Sequence, residues 1–141
     1  MKPFNQLNHH NPAAMTICRL MIALLFLASA AAKLLAPSAT IAFIASAGLP
    51  FPMLAFLIAV SVEAGGGLLL AGGIQARIVA ISLAIFSIAT GLVFHHDLGN
   101  QMQLMELMKN IAIAGGLLHI AALNVPAGSI PRVARGNTGK F

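Results

Sequence analysis

Apolar residues run along this chain in four long blocks that are separated by short polar breaks. Within each block they are nearly continuous, without the alternation of a half-buried strand. A block of about 20 residues, at about 1.5 Å per residue, crosses the roughly 30 Å hydrocarbon core of a bilayer. The pattern therefore predicts an all-α protein, an integral membrane four-helix bundle, with spans at about residues 14–35, 53–72, 76–94 and 104–125.

The segments outside the blocks are polar or interrupted. Residues 1–13 are predicted to form a polar N-terminal tail, and residues 126–141 a basic C-terminal tail. Residues 37–52 are apolar but too short to cross the membrane. Because Ser38 is suited to cap a helix and Gly48 to end one, we expect a short interfacial helix followed by a turn.

The first block allows a second interpretation. Leu20 to Leu27, followed by Ala28-Ser29-Ala30, resembles the core and the small-residue cleavage site of a signal peptide. However, few positive charges precede the block, and cleavage would leave an odd number of spans, which would separate the two termini. The pattern therefore favours a membrane span over a signal peptide.

Composition also indicates a protein built for lipid. Of 141 residues, 59% are hydrophobic and 8% are charged, and the mean hydropathy is +0.92, more than a soluble domain of this size hides from water. Cys18 is the single cysteine, which excludes an intrachain disulfide and a cysteine-ligated cluster. We attribute the net charge of +5 to orientation and to contact with membrane lipids. No basic patch interleaved with aromatic residues favours nucleic-acid binding.

The positive residues predict how the chain is oriented. One side of the predicted spans carries Lys2, Arg19, Arg77, Arg132, Arg135 and Lys140, whereas the other carries Lys33 and Lys109. Because cytoplasmic segments hold the excess of positive charge, both termini are expected in the cytoplasm. Residues 37–52 and 95–109 then lie together on the outer side of the membrane.

Glu63 is the most informative single residue. It lies about ten residues into the second predicted span, roughly 15 Å from either membrane face. A carboxylate at that depth is paired, protonated or exposed to a cavity. Arg19 is the nearest cation by predicted depth, so we expect an intramembrane Arg19–Glu63 charge pair. Such a pair either fixes helix packing or belongs to a proton or ligand site, and the sequence leaves both open.

Polar residues gather at the predicted outer end. The candidate ligand-binding residues among them are Lys33, His95, His96, Lys109 and Asn110. Lys, His and Asn side chains hydrogen-bond the carbonyl oxygens of a quinone, and an imidazole or a carboxylate relays protons. An ordinary water-facing loop explains the same residues. A metal site is not expected, because adjacent helix residues such as His95 and His96 point about 100° apart.

Small residues recur within the apolar blocks, at Gly65-Gly66-Gly67, Gly72-Gly73 and Gly115-Gly116. These glycines lack the Lys-Ser/Thr partner of a phosphate-binding loop. In lipid, small residues let helices approach closely, so the sequence predicts a compact bundle and leaves self-association into a homo-oligomer open.

A series of short motifs runs through the chain in a fixed order. They are Arg19-Leu20, Lys33-Leu34, Ala47-Gly48-Leu49-Pro50-Phe51-Pro52, Glu63 ahead of Leu68-Leu69-Leu70-Ala71-Gly72, Arg77, His95-His96, and Lys109-Asn110 continuing to Leu118. In order and spacing this series, which covers residues 19–118, resembles the DoxX family of small bacterial inner-membrane proteins. The resemblance implies a four-helix bundle in the inner membrane. It also implies a link to quinones, since the family name derives from a subunit of a thiosulfate:quinone oxidoreductase. This chain has almost no soluble loop and no metal motif, so a thiosulfate activity is not expected.

The leading hypothesis is a quinone-linked component of a membrane oxidoreductase system. Composition and spacing identify no electron carrier, and no covalently bound cofactor is expected, so an oxidoreductase partner subunit would supply the redox centre. A second hypothesis is a non-catalytic membrane scaffold for partner enzymes. It predicts that Lys109→Ala leaves function intact and that truncation at Pro126 abolishes function. A third, transport of a small solute or proton, requires a water-accessible path to Glu63.

Overall fold

The computed structural model describes residues 12–124, which form five α-helices and no strand. The helices are α1 (Pro12–Leu35), α2 (Pro37–Ser46), α3 (Pro52–Gly72), α4 (Ala76–Phe94) and α5 (Gln101–Leu123). Four of them, α1, α3, α4 and α5, are long and apolar enough to cross a membrane. The predicted all-α architecture with four membrane spans is confirmed. The predicted tails, residues 1–13 and 126–141, lie almost entirely outside the described residues.

Helix boundaries follow from local chemistry. Pro37 and Pro52 occupy the first turns of α2 and α3, where a missing N–H costs nothing. Gly73 ends α3 in the left-handed conformation, with φ of 69°, and lets the chain turn directly into α4. Asn100 caps α5, because its side chain accepts bonds from the backbone N–H groups of Met102 and Gln103. This cap starts α5 three residues before the predicted position at 104.

The bundle consists of two antiparallel helix pairs, α1 with α3 and α4 with α5, which make the most extensive contacts. Contacts between α3 and α4, and between α1 and α5, are fewer, and α2 packs mainly on α3. We call the end that carries α2 the α2 end, and the end at which α3 turns into α4 the turn end. The two pairs are therefore joined less tightly to each other than each is internally.

A close approach between α1 and α3 sets their relative register. A Cβ placed on Gly67 would lie 2.9 Å from Cγ of Leu27 and 3.3 Å from the backbone oxygen of Ala23. Only glycine leaves room for α1 at that point. The contact holds the middle of α1 against the later part of α3, so that the C-terminal end of α1 reaches the middle of α3.

The buried apolar core occupies the half of the bundle toward the turn end. It includes Phe26, Leu70, Leu83 and Leu117, which are almost completely buried. Large apolar side chains on the outer surfaces of the spans, such as Leu24 and Ile78, are exposed. An apolar surface of this extent is suited to lipid rather than water. In the half of the bundle toward the α2 end, the helices leave a cavity between them.

Candidate functional site

A cavity of about 510 Å³ lies between the two helix pairs at the α2 end. All five helices contribute to its lining: Ser29, Lys33, Thr40, Phe43, Ile44, Leu49, Ala55, Ile58, Ala59, Glu63, Phe86, Ala89, Thr90, Val93, Phe94, His95, Glu106 and Asn110. Most of these side chains are apolar, with a few polar groups among them. A cavity of this size and character is typical of a site for a small organic molecule.

The polar group on the α1 and α3 side of the cavity is an ion pair between Lys33 and Glu63. Lys33 Nζ lies 2.9 Å from both carboxylate oxygens of Glu63. The side chains are 25% and 8% exposed respectively. Ser29, one turn before Lys33 on the same face of α1, accepts a bond of 2.8 Å from Lys33 Nζ and donates one of 3.2 Å to Glu63 Oε1. The intramembrane carboxylate is thus both paired with a cation and in contact with a cavity.

The predicted Arg19–Glu63 pair is wrong. Arg19 and Lys33 are fourteen residues apart on α1, about 21 Å along the helix axis. The close contact at Gly67 sets α1 in a register in which Lys33, not Arg19, lies level with Glu63. The prediction failed because it counted the membrane depth of each residue along its own span. The packing of α1 against α3, which that count ignores, decides which residues lie at the same level.

Arg19 lies instead at the turn end of the bundle. Its guanidinium group covers Gly73, where an added Cβ would lie 2.8 Å from Nη1. A cation at this position faces the C-terminal end of α3, where the helix dipole is negative. Arg19 therefore belongs to the packing of the turn end, and it is far from the cavity.

The polar group on the α4 and α5 side is centred on Asn110. Ser87 Oγ donates to the Asn110 side-chain oxygen and backbone oxygen, both at 3.1 Å. Asn110 Nδ2 donates to the backbone oxygen of Glu106 at 3.1 Å. Gly91 on α4 admits Asn110 at close range, since an added Cβ would lie 2.9 Å from Asn110 Cβ. The asparagine is held in a fixed orientation beside the cavity.

His95 and Thr90 complete that side of the cavity. His95 Nδ1 lies 2.9 Å from Gln103 Oε1. The hydroxyl of Thr90 donates to the backbone oxygens of Phe86 and Ser87, at 2.9 and 3.1 Å. Above them, the rings of Phe43 from α2 and Phe94 from α4 stack with their centroids 5.4 Å apart. This stack joins α2 to α4 along the border of the cavity.

The other two candidate ligand-binding residues lie outside the cavity lining. Lys109 pairs with Glu106 at 2.6 Å and is 61% exposed. His96 is exposed, and its Nδ1 lies 3.1 Å from the backbone oxygen of Val93. Of the five candidates, the fold brings Lys33, His95 and Asn110 together around the cavity and leaves His96 and Lys109 on the surface. Within residues 12–124, no three His, Cys, Asp or Glu side chains come together in a group suited to a metal ion.

Comparison with known proteins identifies the family. The DoxX family model matches residues 14–96, which is more than half of the chain. The chain belongs to the DoxX family. The match includes Lys33, Glu63 and His95, and it ends before Asn110.

Two inner membrane proteins of Escherichia coli K12 are related to this DoxX chain over most of its length. The chain is 29% identical to inner membrane protein YphA over 126 residues, which cover 86% of this chain and 90% of the relative. It is 30% identical to inner membrane protein YqjF over 117 residues, 83% of this chain and 88% of the relative. No solved structure matches the chain. It is therefore a DoxX-family inner membrane protein.

Sequence reasoning about this DoxX protein missed Ser29, Ser87 and Thr90. Ser29 had a usable signal, because it precedes Lys33 by four residues and so shares its face of the helix. Ser87 and Thr90 had none, since isolated hydroxyl residues in an apolar helix commonly bond to their own backbone. Their roles depend on how α4 packs on α5, which the pattern along the chain does not reveal.

Proposed function

We propose that this DoxX protein binds the head group of a quinone or its reduced quinol in the cavity at the α2 end. We further propose that it acts as a quinone-linked component of a membrane oxidoreductase system. The observation that carries the proposal is an apolar cavity of about 510 Å³ with polar groups on both sides, Glu63 and Lys33 on one and Asn110 and His95 on the other. A quinone head group has the same arrangement, a flat apolar ring with oxygen atoms at opposite ends.

The position of the cavity suits a ligand that lives in the membrane. Ile58, Ala59, Phe86 and Val93 line it from α3 and α4, the adjacent helices of the two pairs, which contact each other less than the members of each pair do. An apolar ligand reaches such a site from the bilayer without crossing water. The ring would pack against these side chains while its oxygen atoms meet the polar groups.

The cavity favours binding over transport. Toward the turn end, the residues next along the helices are the buried Phe26, Leu70, Leu83 and Leu117. In the part of the chain that the structure describes, this cluster consists of apolar side chains, which give a solute or proton no hydrophilic path through it. A blind cavity is suited to a ligand that enters and leaves on the same side.

The chemistry open to the chain's own residues is binding, orientation and proton exchange. Glu63 and His95 are groups that accept or release protons next to a bound ring oxygen. The sole cysteine, Cys18, is exposed and lies on α1 away from the cavity lining. Electrons would therefore be exchanged with a partner subunit that carries its own redox centre.

We further propose that both termini lie in the cytoplasm, so that the cavity lies in the outer half of the membrane. The support is the distribution of Lys and Arg residues, six on the side of the termini and two, Lys33 and Lys109, at the α2 end. This orientation places the proposed ligand site on the outer side, opposite the side that holds six of these eight basic residues.

Binding to the purified full-length protein in lipid nanodiscs tests the proposal. Wild type is titrated with a decyl-tailed benzoquinone and with its quinol, and saturable binding is expected. Ala59→Phe places a large apolar side chain in the cavity without replacing a polar residue, and it should weaken binding about tenfold or more, because the ring occupies space that the ligand needs. The control, Arg77→Ala, removes an exposed cation near the turn end, outside this lining, and should bind as wild type does. Absence of saturable binding by wild type would refute the proposal.

A further inference from the structure

The hydrogen bonds around the cavity use nearly all of its donors. On the α1 and α3 side, the three N–H groups of Lys33 have three oxygen partners within 2.9 Å, one in Ser29 and two in Glu63. The hydroxyl hydrogen of Ser29 is donated to Glu63. Glu63 therefore receives three donors, two N–H groups of Lys33 and the hydroxyl of Ser29. Because a carboxylate offers about four lone-pair positions, this side of the cavity can still accept a hydrogen bond from a ligand.

The α4 and α5 side is used in the same way. The Thr90 hydroxyl hydrogen is directed to backbone oxygens of its own helix, which leaves the oxygen free to accept. The Gln103 side-chain oxygen accepts from His95 Nδ1, so in the neutral ring Nε2 is an acceptor. Asn110 gives one of its two amide hydrogens to Glu106. Thr40 donates its hydroxyl hydrogen to the backbone oxygen of Ala36. Among the polar side chains that line the cavity in residues 12–124, this leaves the second amide hydrogen of Asn110 as the donor for a ligand.

We infer that the cavity selects the hydrogen-bond-donating, dihydroxy form of the head group, the quinol, over the quinone. This inference rests on the proposed function. A quinone has two carbonyl oxygens that only accept, and the cavity meets them with one free donor and several acceptors. A quinol brings two hydroxyl donors, one for the Glu63 carboxylate and one for His95 Nε2 or the Thr90 oxygen on the other side.

The selection has a thermodynamic consequence. Each pairing of an acceptor with an acceptor forfeits a hydrogen bond, and the loss is larger where the partner is charged, so a preference of about tenfold for the quinol is expected. A site that binds the reduced form about tenfold more tightly raises the potential of the bound two-electron couple by about 30 mV. The protein would therefore hold quinol in preference to quinone in a mixed membrane pool.

Three probes with the same decyl tail test the inference in nanodiscs under anaerobic conditions: the quinone, the quinol, and the quinol dimethyl ether. The ether keeps the ring and both oxygens but has no hydrogen to donate. For wild type we expect the quinol to bind about tenfold more tightly than either of the other two. Arg77→Ala, the surface control near the turn end, should show the same ratio.

A substitution in the cavity tests which group accepts. Glu63→Gln replaces an acceptor-only carboxylate with an amide that carries its own N–H donor, so the quinol-to-quinone ratio should fall about tenfold toward one. Should that variant fail to fold, the three probes on wild type still decide the matter. Equal or tighter binding of the quinone, or an ether that binds as well as the quinol, would overturn the inference and leave the proposed function standing. Binding of none of the three would overturn both.

Discussion

At the scale of single residues, the sequence predicts that Glu63 needs a partner but not which one. A carboxylate in the middle of an apolar block requires a cation or a cavity on physical grounds alone, and the structure shows both. Choosing between Arg19 and Lys33 requires the register of α1 against α3. That register depends on the contact of Gly67 with Ala23 and Leu27, which sequence spacing does not reveal.

The Lys33–Glu63 pair makes a prediction at this scale. Lys33→Met should destabilise the protein by about 3 kcal/mol, because it leaves a buried carboxylate without its cation. Adding Glu63→Leu should recover most of the loss, since an apolar pair replaces the ionic pair. Thermal unfolding in detergent, compared with wild type, measures both. Two results together would refute the pairing. Lys33→Met would unfold at the wild-type temperature, and Arg19→Met would be destabilised and rescued by Glu63→Leu.

At the scale of helices, the sequence predicts where the helices begin and end, but it does not predict how they contact one another. Pro52, Gly73 and Asn100 mark helix ends through known local chemistry, and Asn100 places the start of α5 more exactly than the apolar block does. Which glycine of a run meets a neighbouring helix is not visible in the run itself. Gly65 has no atom within 4 Å of an added Cβ, whereas Gly67 meets α1.

That difference predicts opposite results for two neighbouring substitutions. Gly67→Ala should destabilise the bundle by about 1–3 kcal/mol, because the new methyl group meets backbone and side-chain atoms of α1. Gly65→Ala, the matched control two residues away, should be neutral or slightly stabilising, since alanine favours helix and the position is open. Unfolding temperatures of the two variants give the comparison. Equal stabilities would mean that α1 does not approach α3 at Gly67.

The cap of α5 carries a second prediction at this scale. Asn100→Ala should cost about 1 kcal/mol and loosen the first turn of α5, because the N–H groups of Met102 and Gln103 lose their partner. Asn100→Ser, which keeps a capping oxygen, should behave almost as wild type. Hydrogen exchange of the amides at 101–103 reports the loosening directly. Unchanged exchange in Asn100→Ala would show that the cap is not what begins the helix.

At the scale of the whole molecule, the apolar pattern predicts the number and position of the spans, and the structure confirms the four-span all-α architecture. The cavity could not be predicted. Ile58 and Phe86 line it, yet in the sequence they resemble residues that face lipid or the core. A cavity arises from the way two tight helix pairs meet, and this depends on every contact between them at once.

Orientation is a property of the whole molecule and can be tested separately. In a Cys18→Ser background, Asp97→Cys, in the connection between α4 and α5 at the α2 end, should react with a membrane-impermeant maleimide added to the outer side of intact spheroplasts. Arg77→Cys, near the turn end, should react only after permeabilisation. Both positions are exposed, so access is decided by the side of the membrane. The reverse labelling pattern would place the termini outside.

The most direct test of the central claim is photo-crosslinking of the full-length protein in nanodiscs with an azido-substituted quinone, followed by peptide mass spectrometry. If the cavity is the ligand site, label that unlabelled quinol displaces should fall on the cavity-lining stretches at residues 55–63 and 86–95. Label that quinol does not displace, or label spread over lipid-facing positions such as Leu24 and Ile78, would contradict a quinone site at the α2 end.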